Sequence, residues 1–441
     1  MHPVTPARSD LLDEHATTSS PPTEIKPTPG GTGRLVGVDI ARGLALIAMV
    51  TQHAAITDTK SGAGSTGWVG WLFAQSSGRA AVLFFVLSGV SLTMIHRRGS
   101  RSAEPAVLRR RGVLLLAGGL LLTQAFWGAS ILQHYGVMFL IAPWLLRLST
   151  RSLAAVTAGG LIGGPIAMLF LPRLSDDVAG LWSGSSGSWL ISTSWDILVG
   201  GLYPLVIWAG YFTLGMLVGR LDLTSKRTAL RLAVGATVAV FALGGLAGFA
   251  KDRIGTQDPF AAKGSEFAAG EAKPAKPVMP RTLTEEQRRA MTKSEYQAYV
   301  TELGTFYDQK GQKGVMTADT DWRSLPITAG HTGKLGNTTQ TSAIALAVLG
   351  WCLAACRFQA TSRFLRPLAI IGSMSLTAYL VHIILVNDVW DHFVTNRSWP
   401  VSTQEWAFAG LVALMVGICL LFQRWLGTGP MERLMKHFTR P

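Results

Sequence analysis

The sequence predicts an all-α fold: a polytopic membrane bundle of about ten transmembrane helices carrying one polar extracytoplasmic insert. Three observations lead there. Of 441 residues, 48% are hydrophobic and 15% charged, against about a quarter charged in a soluble domain. The apolar residues fall into ten long runs. The basic residues gather in alternate loops between those runs.

The runs are 35–55, 78–96, 109–127, 130–147, 152–172, 201–219, 228–250, 341–357, 366–387 and 404–423. At about 18 to 23 residues each, they cross roughly 30 Å of hydrocarbon as helices. The moderately apolar stretch 186–200 reads as re-entrant, which keeps the count even; a full crossing there would invert everything after it. The short loops after even-numbered runs hold nineteen lysines and arginines, among them Arg97, Arg98, Arg101, Arg109, Arg110 and Arg111. The opposite short loops hold three, Lys60, Arg173 and Arg397. Positive charge stays on the cytoplasmic side, so both termini are expected there; the Ala-, Gly- and Arg-rich usage suggests a bacterial plasma membrane.

Flanking segments follow from composition. Residues 1–33 are rich in Pro, Thr and Ser and read as a disordered cytoplasmic tail, not a secretory signal. The membrane domain runs over 34–250 and resumes over 341–424, with a cytoplasmic tail at 425–441. Between its two parts lies the insert 251–340. There, Thr292 and Glu295 suggest a capping box at the start of a helix. The formal charge of +14 is split into clusters between apolar runs. A nucleic-acid binder would need one continuous basic face, so no nucleic acid is expected as a partner. Membrane lipids are expected partners, and a homodimer is left open. Cys352 and Cys356 share a helix face, but no His or carboxylate completes a site. They read as small apolar residues, and no metal is expected.

The first run carries the main anomaly. "GRLVGVDIARGLALIAMVTQHAA" (33–55) holds Asp39, Arg42 and His53 inside or beside the apolar stretch. Asp39 and Arg42 are spaced to pair along a helix. Arg42 and His53 share a face about 16 Å apart along the axis. Ionisable groups in hydrocarbon are costly, so this face should line a bundle interior or a wet cavity. The plainer reading is a neutralising pair that fixes packing. Other groups address the same path. Gln133, His134 and Tyr135 open the fourth run. Ser373, Ser375, Thr377, Tyr379 and His382 lie along the ninth, with Ser375, Tyr379 and His382 on one stripe. Helix-interface hydrogen bonding is the plainer role of the hydroxyls. His331 sits near the membrane re-entry point of the insert. Gly78, Gly89 and Ser91 allow close helix packing in the second run.

These segments carry a resemblance. "GRLVGVDIARGLALIAMVTQH" followed by "GRAAVLFFVLSGVSLTM" resembles the heparan-α-glucosaminide N-acetyltransferase-like membrane proteins and their bacterial relatives. The Arg42-to-His53 spacing is distantly similar to acyltransferase family three. "ILQHYGVMFLIAP" and "PLAIIGSMSLTAYLVH" are similar to later segments of the bacterial relatives, while the insert 251–330 has no counterpart. The resemblance implies transfer of an acetyl group from cytoplasmic acetyl-CoA to a sugar hydroxyl or amine on the far side. It makes His53 the catalytic histidine and Arg42 a residue for donor binding or site geometry. His331 and His382 are weaker carry-overs.

The chemistry agrees with that implication. Acyl transfer needs a base, and an imidazole suits neutral pH. Arg42 is suited to meet a CoA phosphate or to polarise the thioester carbonyl, with Asp39 balancing its charge. Arg109 and Arg110 would attract the phosphorylated donor. His134, His331, Tyr379 and His382 are the expected acceptor contacts. Direct transfer with His53 as general base is preferred, and an acyl-histidine intermediate is the alternative. A transporter or flippase for a glycan or lipid carrier would use the same charges without chemistry. A scaffold whose insert binds a partner is the third reading.

Overall fold

A computed structural model describes residues 35–54, 67–125, 130–171, 193–200, 202–254, 322–328, 332–395 and 400–439. Among these, all regular structure is helical. The elements are α1 (Val36–His53), α2 (Gly67–Ser76), α3 (Arg79–Arg97), α4 (Pro105–Ala125) and α5 (Leu132–Leu145). Then come α6 (Thr150–Ala158) and α7 (Gly164–Ala167), joined through a π-turn at Gly159–Gly163, and α8 (Leu205–Gly219). A second π-turn, Arg231–Gly235, joins α9 (Lys226–Leu230) to α10 (Ala236–Ile254). The C-terminal part holds α11 (Leu335–Ala355), α12 (Gln359–Phe364), α13 (Arg366–Ser373), α14 (Ser375–Ile384), α15 (Val401–Leu426) and α16 (Pro430–Phe438).

Four of these helical stretches are long and apolar enough to cross a membrane: Arg79–Arg97, Lys226–Ile254, Leu335–Ala355 and Val401–Leu426. Arg366–Ser373 and Ser375–Val394 together make a fifth, broken one. Their outward faces carry exposed apolar side chains such as Phe241, Phe249 and Leu414, as lipid-facing helices must. Exposed tryptophans stand near helix ends, with Trp144, Trp351 and Trp425 at one end of the bundle and Trp68, Trp71 and Trp406 at the other. That is the placement of interfacial anchors.

The arginines of one end tie its loops together. Arg97 donates to the carbonyl of Arg220 at 2.7 Å, Arg220 to that of Leu148 at 2.7 Å, and Arg357 to that of Thr224 at 2.6 Å. The first two satisfy carbonyls at or just past a helix C-terminus, and the third a loop carbonyl ahead of α9. In the same loop, bonds from the Thr224 hydroxyl and amide hold the exposed Asp222 carboxyl below its usual range.

Small residues set the core. α1 crosses α13 at glycines: a Cβ at Gly372 would fall on the Asp39 carbonyl, and one at Gly43 on the Leu368 carbonyl. Only the missing side chains let these backbones approach so closely. α4 and α5 form a hairpin through Gly119 and Gly136, where the Thr123 hydroxyl donates to Gln133 Oε1 at 3.0 Å. Gln133 is thereby accounted for by packing.

The ninth run departs from expectation. One continuous helix is expected over 366–387, but the chain breaks at Met374 and the two parts bend by 92°. The cause is legible in "IGSMSL". Gly372 and the serines favour kinks, and the Ser373 and Ser375 hydroxyls donate to the Ile370 and Gly372 carbonyls, which competes with the helix ladder. The break leaves α14 with Met374 at its N-cap and no side-chain acceptor there. The acceptor comes from α16 instead. Glu432 Oε1 accepts the Leu376 N–H at 2.8 Å and the Thr377 N–H at 3.2 Å. Its Oε2 accepts the Thr377 hydroxyl at 2.6 Å. At the other end of the bundle, Glu405 of α15 likewise accepts the Val69 N–H of α2 at 3.2 Å.

Candidate active site

The site is assembled from α1, α3, α5 and α14. At its centre His53 Nδ1 lies 3.0 Å from His382 Nε2, with ring centroids 5.2 Å apart and planes 18° from parallel. His382 is fully buried. Its Nδ1 makes no hydrogen bond of normal geometry among the described residues and has the Ala378 and Tyr379 carbonyls of its own helix nearby. In the tautomer with the His382 proton on Nδ1, Nε2 accepts from His53 Nδ1–H, and His53 Nε2 then carries a lone pair.

Neighbours fix this pair. Gln52 Nε2 donates to the Phe73 carbonyl at 2.9 Å and to Ser76 Oγ at 2.7 Å, pinning the end of α1 to α2. Tyr379 sits one turn before His382, with ring centroids 5.1 Å apart, and its hydroxyl reaches Ser130 and the Ile131 backbone.

Toward the arginine-rich end, Arg42 Nη1 donates to Asp39 Oδ1 at 3.2 Å, and Nη2 donates to the Ser91 hydroxyl of α3. Asp39 is buried and the Arg42 side chain is 19% exposed. Tyr135 lies within electrostatic reach of Arg42, Tyr379 and Tyr203. Its hydroxyl is buried with no hydrogen bond among the described residues. The ring packs on Phe85, centroids 4.3 Å apart. Arg42, Tyr135, Tyr379, His382 and His53 thus form one polar file through an apolar core. Unpaired buried polar atoms are costly and normally mark a place for water or ligand.

The remaining expected residues scatter. His134 is buried edge-on against Tyr203, centroids 5.5 Å apart, and neither ring nitrogen makes a hydrogen bond of normal geometry among the described residues. Arg109 and Arg110 are exposed near the start of α4. Beside them Arg111 is partly buried, with an Nε that has no described partner. His331, Lys60, Arg173, Arg397, Thr292 and Glu295 lie outside the described residues. Ser375 is spent on the helix break and Thr377 on Glu432. Sequence reasoning did not find Ser91 as the second partner of Arg42, because a serine in an apolar run carries no directional signal. It also gave no role to Tyr203 or Glu432.

Two family models match the chain. Residues 34–248 match "Heparan-alpha-glucosaminide N-acetyltransferase, catalytic". Residues 314–441 match "Protein of unknown function (DUF418)". No curated protein and no solved structure matches. His53 lies in the first matched segment and His382 in the second, so their contact joins the two. Residues 34–248 are thus similar to the heparan-alpha-glucosaminide N-acetyltransferase catalytic family, and the chain's apolar helices are those of a multi-pass membrane protein.

Proposed function

We propose that this protein is a membrane acyltransferase that moves an acetyl group from cytoplasmic acetyl-CoA to a hydroxyl or amine of a sugar or glycolipid at the outer face of the plasma membrane. The observation that carries the reading is the His53–His382 pair, 3.0 Å apart inside the bundle. It supplies what acyl transfer needs and packing does not: a base whose protonated form is shared with a buried partner.

The donor contributes an activated thioester carbonyl, and the chain's residues fit it at both ends. Arg109 and Arg110 are exposed cations suited to phosphate groups, and beside them Arg111 has a buried Nε with no hydrogen bond among the described residues. Arg42 is fixed by Asp39 and Ser91 and shares its surroundings with the Tyr135 hydroxyl. Arg42 stands about 16 Å from His53 along α1, too far to polarise the carbonyl attacked beside His53. Of its two roles, contact with a donor phosphate is the one the geometry favours. His53 Nε2 takes the proton from the acceptor, and the charge spreads to His382 through the Nδ1–Nε2 contact. His134, Tyr379 and, from the insert, His331 are the acceptor-side contacts.

The topology in this reading has about ten spans, both termini cytoplasmic, 186–200 re-entrant and 251–340 outside. Lipids surround the bundle, and a homodimer is one assembly it admits. A transporter or flippase is the second reading, favoured by the break at Met374, because discontinuous helices also build transport sites. Inside-out membrane vesicles given acetyl-CoA with a labelled acetyl group separate the two. Label bound covalently in the envelope fraction, and absent from vesicles lacking the protein, supports the acyltransferase. Intact thioester with no covalent label contradicts it.

A further inference from the structure

We propose that Glu432 is a positioning residue whose carboxylate caps the half-helix carrying His382 and so holds His382 against His53. The inference rests on the acyltransferase reading for its catalytic consequence and on geometry for its structural one.

A helix that starts at a sharp break exposes its first N–H groups, and inside a membrane protein water does not satisfy them. α14 has no acceptor of its own at Met374. Glu432, 55 positions away from Thr377, accepts both the Leu376 and Thr377 N–H groups and the Thr377 hydroxyl. Thr377 Oγ1 in turn accepts the Met431 N–H at 3.1 Å. The contact is reciprocal, with each helix end satisfying the other. The fit is also close: a Cβ at Gly429 would fall on Glu432 Oε2 and Thr377 Oγ1. A carboxylate at a helix N-terminus is further favoured by the helix dipole.

α14 is short, spanning Ser375–Ile384, and His382 stands two turns from the cap. A tilt at the capped end therefore moves the imidazole. The histidine contact is made at 3.0 Å, and a misplacement of about 1 Å costs on the order of a hundredfold in rate. The C-terminal helix thus holds the site from the arginine-rich end without touching either histidine.

The test pairs a distance with a rate. Spin labels at Leu44→Cys on α1 and Ile384→Cys on α14, both exposed positions, report the placement of α14. Cys352, Cys356 and Cys419 are replaced by alanine in this full-length background. The expected result is one narrow distance with Glu432 present, a broadened one in Glu432→Ala, and a narrow one restored in Glu432→Gln, which keeps an acceptor oxygen. In the protein with native cysteines, Glu432→Ala should lower kcat about a hundredfold with KM for acetyl-CoA unchanged. If Glu432→Ala does not fold, Thr377→Val removes one bond of the cap and is read the same way. An unchanged distance overturns the proposal, as does a broadened distance with unchanged kcat. If the wild-type protein transfers no acetyl group, the acyltransferase reading fails, and the distance arm alone decides the cap.

Discussion

His53 Nδ1 and His382 Nε2 are 3.0 Å apart although 329 positions separate the two residues in the chain. One ring donates and the other accepts, so the two tautomers are coupled. A proton taken by one is stabilised by both, which turns an interfacial histidine and a buried one into a single base.

His382 should therefore matter nearly as much as His53. His382→Gln is expected to lower kcat by about 10²–10⁴, the range for a general base. Adding His53→Ala should cost little more, because residues that act as a unit are not additive. Steady-state kinetics on the two single variants and the double variant check this. Additive losses would mean two independent roles.

The pH profile follows from the same pair. A dyad that has taken up one proton has no lone pair left at His53 Nε2 for the acceptor's proton, so kcat should rise from acid toward neutral pH. The midpoint belongs to the pair, not to either ring. His382→Gln should change both the midpoint and the steepness of that limb. A profile identical to wild type would remove His382 from the titration.

Asp39 and Arg42 can be separated by stability and activity together. Asp39→Ala leaves a partly buried guanidinium without its carboxylate. The cost should lie below the ~3–5 kcal/mol of a fully buried pair, because the Arg42 side chain is 19% exposed. Adding Arg42→Met should restore thermal stability but not turnover. Recovery of both would reduce the pair to packing. Arg42→Lys keeps the charge but loses the fork that reaches Asp39 and Ser91, so it should retain stability and lose rate.

The crossing of α1 and α13 gives a purely structural check. Gly372→Ala places a methyl group on the Asp39 carbonyl and should destabilise by about 1–3 kcal/mol. Gly410→Ala meets nothing within 4 Å and should be neutral or gain up to about 1 kcal/mol of helix propensity. Thermal melting of both variants in the same detergent measures the contrast.

Much of this was legible in the sequence, for physical reasons. Apolar runs long enough to span a bilayer read directly as helices, and α1, α3 and α15 lie where the runs fall. Asp39 and Arg42 pair because three residues apart on a helix is a contact distance. The pairing of Tyr379 with His382 follows from the same periodicity. What sequence could not give was distance between segments remote in the chain. The approach of His382 to His53 depends on the break at Met374, which re-aims α14, and hydropathy averages that break away. The cap from Glu432 depends on α16, a helix with one apolar edge inside what reads as a polar tail. Ser91 became a partner of Arg42 only when α3 packed beside α1.

The most direct test of the central claim is acetyl-CoA thioester turnover by wild type, His53→Ala and His382→Ala side by side in nanodiscs. Acetyl-CoA binding by calorimetry accompanies each measurement, and a membrane extract supplies acceptor. The account predicts turnover in wild type, its loss in both variants, and donor affinity unchanged in all three. Variants that turn over at the wild-type rate, or a wild-type protein that neither binds nor cleaves acetyl-CoA, would contradict it.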